Sequence, residues 1–363
     1  MKPQRLFVVV IFVLATLAAC NSPASTPTPP ATAVIVPTTA PTTPVLGITV
    51  TPNTTAASGT PAVEKPEFVF LDGSRREPLI GHGDLDNWDG KYINPGAVLF
   101  HDGQFHMFRN GSVDRPGVVS VGHMVSNDGI GWTAVPETAV FTSTQISYAQ
   151  PGADVSSVLV LDDGTWVIYF HTINDAAPSV IGRATAPGPQ GPWIPDSEPV
   201  LMPGTAGQWD DGHLSWPTVL KDGSTFVMFY GAENQIGNEV IGRATSLDGI
   251  SWTVDSAPVL QSSSEWEQRS INRPEVLQTA DGWVMIYAGK GLNQRGLAFS
   301  PDGQNWTAFA GNPIIGLRDL PIRATTWDTA LLYHEGTYFY YMEIGSLLST
   351  DIYLAQYTGM LPP

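Results

Sequence analysis

The chain repeats itself. Asp-Gly pairs at Asp102-Gly103, Asp163-Gly164, Asp222-Gly223 and Asp281-Gly282, followed by a degenerate Glu335-Gly336, recur at intervals of 61, 59, 59 and 54 residues. Tryptophans keep the same beat, with Trp132, Trp193, Trp252 and Trp306 separated by 61, 59 and 54. Two independent series in phase mean one supersecondary unit copied several times, and such a period constrains the fold more than any local propensity.

Each unit predicts four short antiparallel strands. The Asp-Gly turn joins two β-rich runs, as in Ala97-Val98-Leu99-Phe100 and Phe105-His106-Met107-Phe108, which is a hairpin signal. A third strand with a glycine and small residues follows: Val121-Gly122-His123-Met124, Ile181-Gly182-Arg183-Ala184, Ile241-Gly242-Arg243-Ala244 and Gly296-Leu297-Ala298-Phe299. A loop then leads to a fourth strand headed by the tryptophan, and three copies of that loop carry a further Asp-Gly, at Asp128, Asp248 and Asp302. No helix-length stretch shows helical periodicity. The expectation is an all-β chain, a five-bladed β-propeller of four-stranded antiparallel blades. The fifth unit lacks a closing strand after Asp351-Ile352-Tyr353-Leu354, and Glu67-Phe68-Val69-Phe70 is the segment expected to supply it.

The front of the chain is separate. Lys2 and Arg5 precede an apolar run from Leu6 to Leu14, too short to span a membrane, and Leu17-Ala18-Ala19-Cys20 resembles the lipobox of bacterial lipoproteins. Residues 1–20 are therefore expected to be a signal peptide, with Cys20, the single cysteine, as the lipidated residue. Residues 21–65, rich in Pro, Thr, Ala and Ser, predict a disordered tether. The propeller is expected over residues 66–363. A net charge of −17 argues against nucleic acid and against an anionic-lipid patch. The expected location is the cell surface or periplasm, on a membrane anchor, as a monomer.

A propeller does chemistry where its blades converge. Aligning the units on Val98, Val158, Val219, Val276 and Leu331 places Asn94, Asp154, Ser215, Asn272 and Trp327 at equivalent entries to the innermost strands. Asp89, Asp211, His213, Arg273, Glu275 and Asp328 lie nearby, and Arg109, His171, Glu233, Lys290 and Glu343 end the second strands. Carboxylates, arginines, histidine and tryptophan converging on one cavity are the composition of a glycoside-processing site. Trp132, Trp193, Trp252 and Trp306 are expected to pack inside the blades, whereas Trp88 and Trp216 are candidates either for a wall of the site or for core. Asp102, Asp163, Asp222 and Asp281 are turn residues. His213 has only Asp211 as a neighbouring ligand and is expected in a loop hydrogen bond, so no metal ligand is assigned.

These residues resemble the five-bladed propeller glycosidase superfamily that includes glycoside hydrolase families 43, 32, 62 and 130. The local match is to family 130: Asn94-Pro95-Gly96-Ala97-Val98 with Asp102-Gly103 and Phe108-Arg109 is similar to its first-blade signature, and Gly282-Trp283 with Ile286-Tyr287-Ala288-Gly289 to its Gly-Trp strand. In families 43 and 32 the first blade opens on a catalytic Asp. The corresponding residue here is Asn94, an amide that cannot serve as base or nucleophile. Family 130 uses an Asp of blade two as proton donor. The resemblance implies that Asp154 takes this part, although the family's Glu-Asp-Pro is absent. The family 43 acid falls on Asn272, with Glu275 three residues on and facing the other way in a regular strand.

The expected function is a membrane-tethered, extracytoplasmic enzyme that hydrolyses glycosides by acid/base catalysis in the axial pocket, phosphorolysis being the less favoured route. Asp154 is the expected acid, and Asp211 or Glu275 the second carboxylate. Arg109, Arg273, Asn94, Asp89, His213 and Asp328 are expected to hold the carbohydrate, with Trp88 or Trp216 stacking on a sugar ring. No cofactor is called for, and a structural calcium ion in the axis is left open. The alternative is a non-catalytic surface propeller that binds glycans, since one fold hosts many functions.

Overall fold

The structure, a computed structural model, describes residues 64–71, 77–174, 177–291 and 293–361. Cys20 and the segment expected to be a tether, up to residue 63, lie outside the described residues. The rest is a five-bladed β-propeller, with four antiparallel strands to a blade. The innermost strands are Tyr92–His101, Gly152–Val160, His213–Asp222, Ile271–Thr279 and Thr325–His334. Hairpins at the Asp-Gly pairs join each to its second strand; Asp102 and Gly103 both have positive φ (48° and 78°), as do Glu335 and Gly336 (46° and 81°), the backbone that a two-residue hairpin turn demands. A short extra strand, Phe141–Thr142, returns onto the third strand of blade one.

Blade five is closed by the other end of the propeller. Val69–Phe70 pairs antiparallel with Thr350–Thr358, in the register Val69 to Gln356 and Phe70 to Ala355. The strand is two residues long and is anchored mainly by its predecessor: Phe68 is buried and packs on the rings of Tyr340 and Tyr357.

The repeated tryptophans bind blade to blade. Trp132 packs on Tyr341 of blade five, Trp193 on Phe108 of blade one, Trp252 on Tyr169 of blade two and Trp306 on Phe229 of blade three, with ring centroids 5.5–6.0 Å apart. Each therefore leaves its own blade and covers the second strand of the preceding one. Two of these contacts carry a polar tie as well, because Tyr341 and Tyr169 donate to the carbonyls of Gly129 and Gly249 in the neighbouring Asp-Gly loops, each at 2.8 Å. Those loops are self-capped: Asp128, Asp248 and Asp302 each accept two following backbone N–H groups, which holds their carboxyls below the usual range.

All five innermost strands are broken at the same place. The ladder shifts between Asn94 and Ala97, Val155 and Ser157, Ser215 and Thr218, Asn272 and Glu275, and Thr326 and Thr329. These are β-bulges, in which extra residues oppose a shorter stretch of the partner strand and local side chains are re-aimed. Three contain a proline (Pro95, Pro217, Pro274), a residue that cannot donate to a ladder and is at home where the ladder is already interrupted. The bulges also correct the alignment drawn from sequence. Blade five slips by one, so Thr326 rather than Trp327 matches Asn94, Ser215 and Asn272, and Trp327 matches Trp216 and Arg273.

Removing an inter-blade ring should cost what a buried tryptophan costs. Trp193 is 3% exposed. Trp193→Ala is expected to destabilise the propeller by about 3–5 kcal/mol, read from the midpoint of urea denaturation.

Candidate functional site

A pocket of about 240 Å³ occupies the axis at the mouth formed by the starts of the innermost strands, and all five blades line it. Its charged centre consists of Asp154, Asp328 and Glu343 with Arg115 and Arg273, and His171 beside them.

Asp328 is the carboxylate held ionised. It accepts from Arg273 Nε at 2.9 Å and from Asn94 Nδ2 at 3.4 Å. Burial alone would raise its pKa, but Arg273, His171 and Arg115 together outweigh burial and leave it below the ordinary aspartate value. The amide at Asn94 now has a physical reason. Its Oδ1 is fixed by Gly96 N at 2.9 Å and Asn110 Nδ2 at 2.7 Å, which turns its N–H toward Asp328. A carboxylate in its place would set a like charge against Asp328.

Asp154 is the opposite case. No side chain or backbone N–H among the described residues donates to its carboxyl. Burial first, and then the charge of Asp328, push its pKa up to about 7, against the smaller pull of Arg115 and Arg273. The two aspartates thus share one pocket in opposite protonation states at mildly acidic pH. Glu343 sits behind them with its side chain fully buried, 2.5 Å from Arg115 Nη2, and it accepts from Asp328 N at 3.3 Å. Burial raises its pKa as well. His171 is kept neutral, its pKa lowered to about 4 by burial.

The walls are aromatic and cationic together. Arg273 lies 3.8 Å over the Trp216 ring, and both residues hold left-handed backbone at their bulges, φ 52° and 50°. Such backbone is costly for a side chain of this size and persists where surrounding structure imposes it. Arg115 reaches in from the 113–119 loop, 4.6 Å over the Tyr92 ring and 5.9 Å from that of Trp327.

Of the residues expected from sequence, Asn94, Asp154, Trp216, Arg273 and Asp328 line this pocket, together with Trp327 and the second-strand ends His171 and Glu343. The others do not. Asp211 is exposed and caps the backbone N–H groups of Gly207 at 2.6 Å and Gln235 at 3.0 Å, which holds its carboxyl low and far from acid/base work. His213, expected in a loop, is the first residue of its innermost strand and accepts from Ser179 N at 3.1 Å. Glu275 lies deeper in the axis, below the pocket. The bulge at Arg273-Pro274 puts it opposite Ile286, two ladder positions from the Asn272–Ala288 pair, so it does not face away from Asn272 as a regular strand would require.

Trp88, Asp89 and Arg109 form a structural cluster within blade one. Asp89 and Arg109 are a buried ion pair at 2.5 Å, and Arg109 stacks 5.0 Å over Trp88. The Trp88 ring fills the space that a Cβ on Gly111 or Gly122 would need, 2.5 and 2.7 Å away. The arrangement recurs: Trp209-Asp210 and Trp266-Glu267 precede the innermost strands of blades three and four, and their rings cover Gly242 and Gly296. A tryptophan followed by a buried acid is thus a packing element of the repeat. Arg115 was not anticipated, because its loop lies outside the periodic strands. Among the described residues no group of three or more His, Cys, Asp or Glu side chains is gathered as a metal site.

No family model matches the chain. Among curated proteins, the uncharacterized protein Rv1502 of Mycobacterium tuberculosis is 26% identical over 130 residues, which is 34% of this chain and 42% of that protein. The chain thus spans less than half the length of the curated relative it matches. Solved structures share the fold. A putative glycosidase from Bacteroides thetaiotaomicron superposes with TM-score 0.62 at 16% identity, covering 81% of this chain and 97% of that one. A glycoside hydrolase gives TM-score 0.61 at 16% identity, over 79% and 93%. A structure described with the GH130 family of mannoside phosphorylases, which contains glycoside hydrolases that target β-1,2 mannosidic linkages in Candida mannan, gives 0.60 at 16% identity, over 84% and 97%. The class is thereby defined: a five-bladed propeller whose structural neighbours are glycoside hydrolases.

The structural part given to Asp89 is testable. Asp89→Ala leaves a guanidinium buried without its partner and is expected to cost about 3–5 kcal/mol in urea denaturation, a loss that a solvent-exposed ligand contact would not produce.

Proposed function

We propose that this chain is an extracytoplasmic glycoside hydrolase, tethered to a membrane through Cys20, that works by acid/base catalysis in the axial pocket. The observation that carries the proposal is the pair Asp154 and Asp328, two carboxyl groups in one pocket whose surroundings drive their protonation apart. Such a divergence marks the division of labour between acid and base. The glycoside hydrolases among the structural neighbours support the substrate class, and the resemblance of Leu17-Ala18-Ala19-Cys20 to a lipobox supports the address.

Asp154, neutral below about pH 7, donates its proton to the glycosidic oxygen as the bond from that oxygen to the anomeric carbon breaks. Asp328, ionised, accepts a proton from the water whose oxygen bonds to the anomeric carbon. Arg273 holds Asp328 in place and keeps it charged, and Asn94 donates from the other side. Trp216 offers its ring and Arg115 its remaining N–H groups to the sugar. Both arginines of the pocket are already paired with carboxylates, Arg115 with Glu343 and Arg273 with Asp328, which favours hydrolysis over capture of a phosphate nucleophile.

The test is hydrolysis of a panel of aryl glycosides and oligosaccharides, with and without phosphate. Asp154→Asn is expected to lower kcat by roughly 10²–10⁴-fold, the usual share of a positioned acid. In the wild type kcat/KM is expected to fall as pH rises through about 7, because the acid must be protonated. The same raised pKa makes the folded state lose stability as pH rises through that value, and Asp154→Asn should remove this loss. No turnover of any glycoside, with sugar binding retained, would leave a glycan-binding propeller instead.

A further inference from the structure

The axis continues below the pocket. A void of about 10 Å³ shares Asn94, Trp216, Arg273 and Asp328 with the pocket above it. Its lower boundary is Ser156, Thr218 and Glu275, and those three residues also line a third cavity of about 250 Å³ toward the hairpin face of the ring. The small void is on the scale that admits one water, and it is bounded by more than the two to four polar partners a water requires. The larger cavity is walled by the aliphatic side chains of the innermost strands, among them Val98, Leu220 and Leu332, with Lys221 at its outer part. Three cavities thus lie in series along the axis, each sharing lining residues with the next, and Asp328 and Glu275 stand at the upper and lower ends of the narrowest one.

Glu275 has no part in the chemistry assigned above. It accepts from Thr329 Oγ1 at 3.1 Å and from Leu331 N at 3.3 Å, which fixes its carboxyl on the axis. A buried carboxyl costs stability unless its remaining polar capacity is used. Hydrolysis has a requirement that this arrangement meets. A sugar ring seated against Asp154 would take up space in a pocket of only about 240 Å³ that Asp328 also lines, and so would stand between Asp328 and solvent at the mouth.

We propose that water reaches Asp328 through the axis from the hairpin face, with Glu275 as the positioning residue that holds it in the narrow void. The inference rests on the hydrolase reading. The incoming water gives its oxygen to the anomeric carbon and one proton to Asp328. The leaving oxygen takes the proton of Asp154. Asp328 then releases its proton to the next water in the axis, and Asp154 is reprotonated from solvent once the leaving group departs.

The test uses the full chain with two variants that cannot touch the sugar. Glu275→Leu replaces the polar end of the void, and Leu332→Trp obstructs the lower cavity from the opposite face. Each is expected to lower kcat at least tenfold with KM unchanged, while Glu275→Gln, which keeps a polar group there, stays within threefold of wild type. Urea denaturation of each variant separates this effect from loss of fold, and Leu332→Trp carries the test if Glu275→Leu fails to fold. Wild-type kcat in Leu332→Trp, or a loss confined to KM, overturns the axial supply while leaving the hydrolase reading standing. Absence of glycoside hydrolysis by the wild type overturns both.

Discussion

Everything in this molecule depends on each blade being unable to bury its own outer surface. The second strand of a blade presents a tyrosine or phenylalanine on which the tryptophan of the next blade packs, so no blade is complete alone and the sheets are driven into a ring. Blade five obeys the same demand with different material, since Phe68 and the short strand after it take the outer position that a tryptophan strand holds elsewhere. Once the ring closes, the five innermost strands face a common axis. The pocket is a consequence of that closure.

Within the axis, chemistry is set by where the ladders break. A regular strand would turn alternate residues away from the centre. The bulges cancel that alternation, and within them stand Trp216, Arg273, Trp327 and Asp328. The network they build runs across blade boundaries: Arg273 of blade four to Asp328 of blade five, Asn94 of blade one to Asp328, and Arg115 of blade one to Glu343 of blade five. Asp154 comes from blade two and receives no such bond. It is the one acid of the cluster left to the low dielectric, and its proton is held accordingly.

Much of this was legible in the sequence, because a repeat displays its own period. Blade number, the hairpin turns, the packing part of the four phased tryptophans and the closing segment before Leu71 all follow from spacing and turn chemistry. The site was legible only where a residue sits inside that period, as Asp154 and Arg273 do. Asp211 and His213 are close to the axis in sequence, yet one lies just before its strand and the other at its first residue, and backbone N–H groups claim both. Trp88, Asp89 and Arg109 resemble a sugar-binding set in composition. The glycines that Trp88 covers show that they are a packing set, but this becomes evident only when Trp209-Asp210 and Trp266-Glu267 are laid beside Trp88-Asp89. Arg115 had no periodic signal at all.

The five bulges also bear on how such a ring can change. At a bulge the residue is outside the ladder, so replacing its side chain leaves the hydrogen-bonded pairs before and after it in place. Pro95, Ser156, Trp216, Arg273 and Trp327 occupy this same level with four different kinds of side chain, while the second paired positions beyond the bulges stay aliphatic, as Val98, Val158, Val219, Val276 and Ala330 do. Stability and chemistry are thereby written in different residues. A lineage built on this frame can recolour the floor of its axial pocket by editing single letters at five unpaired addresses, while the ladders that carry the fold stay as they are.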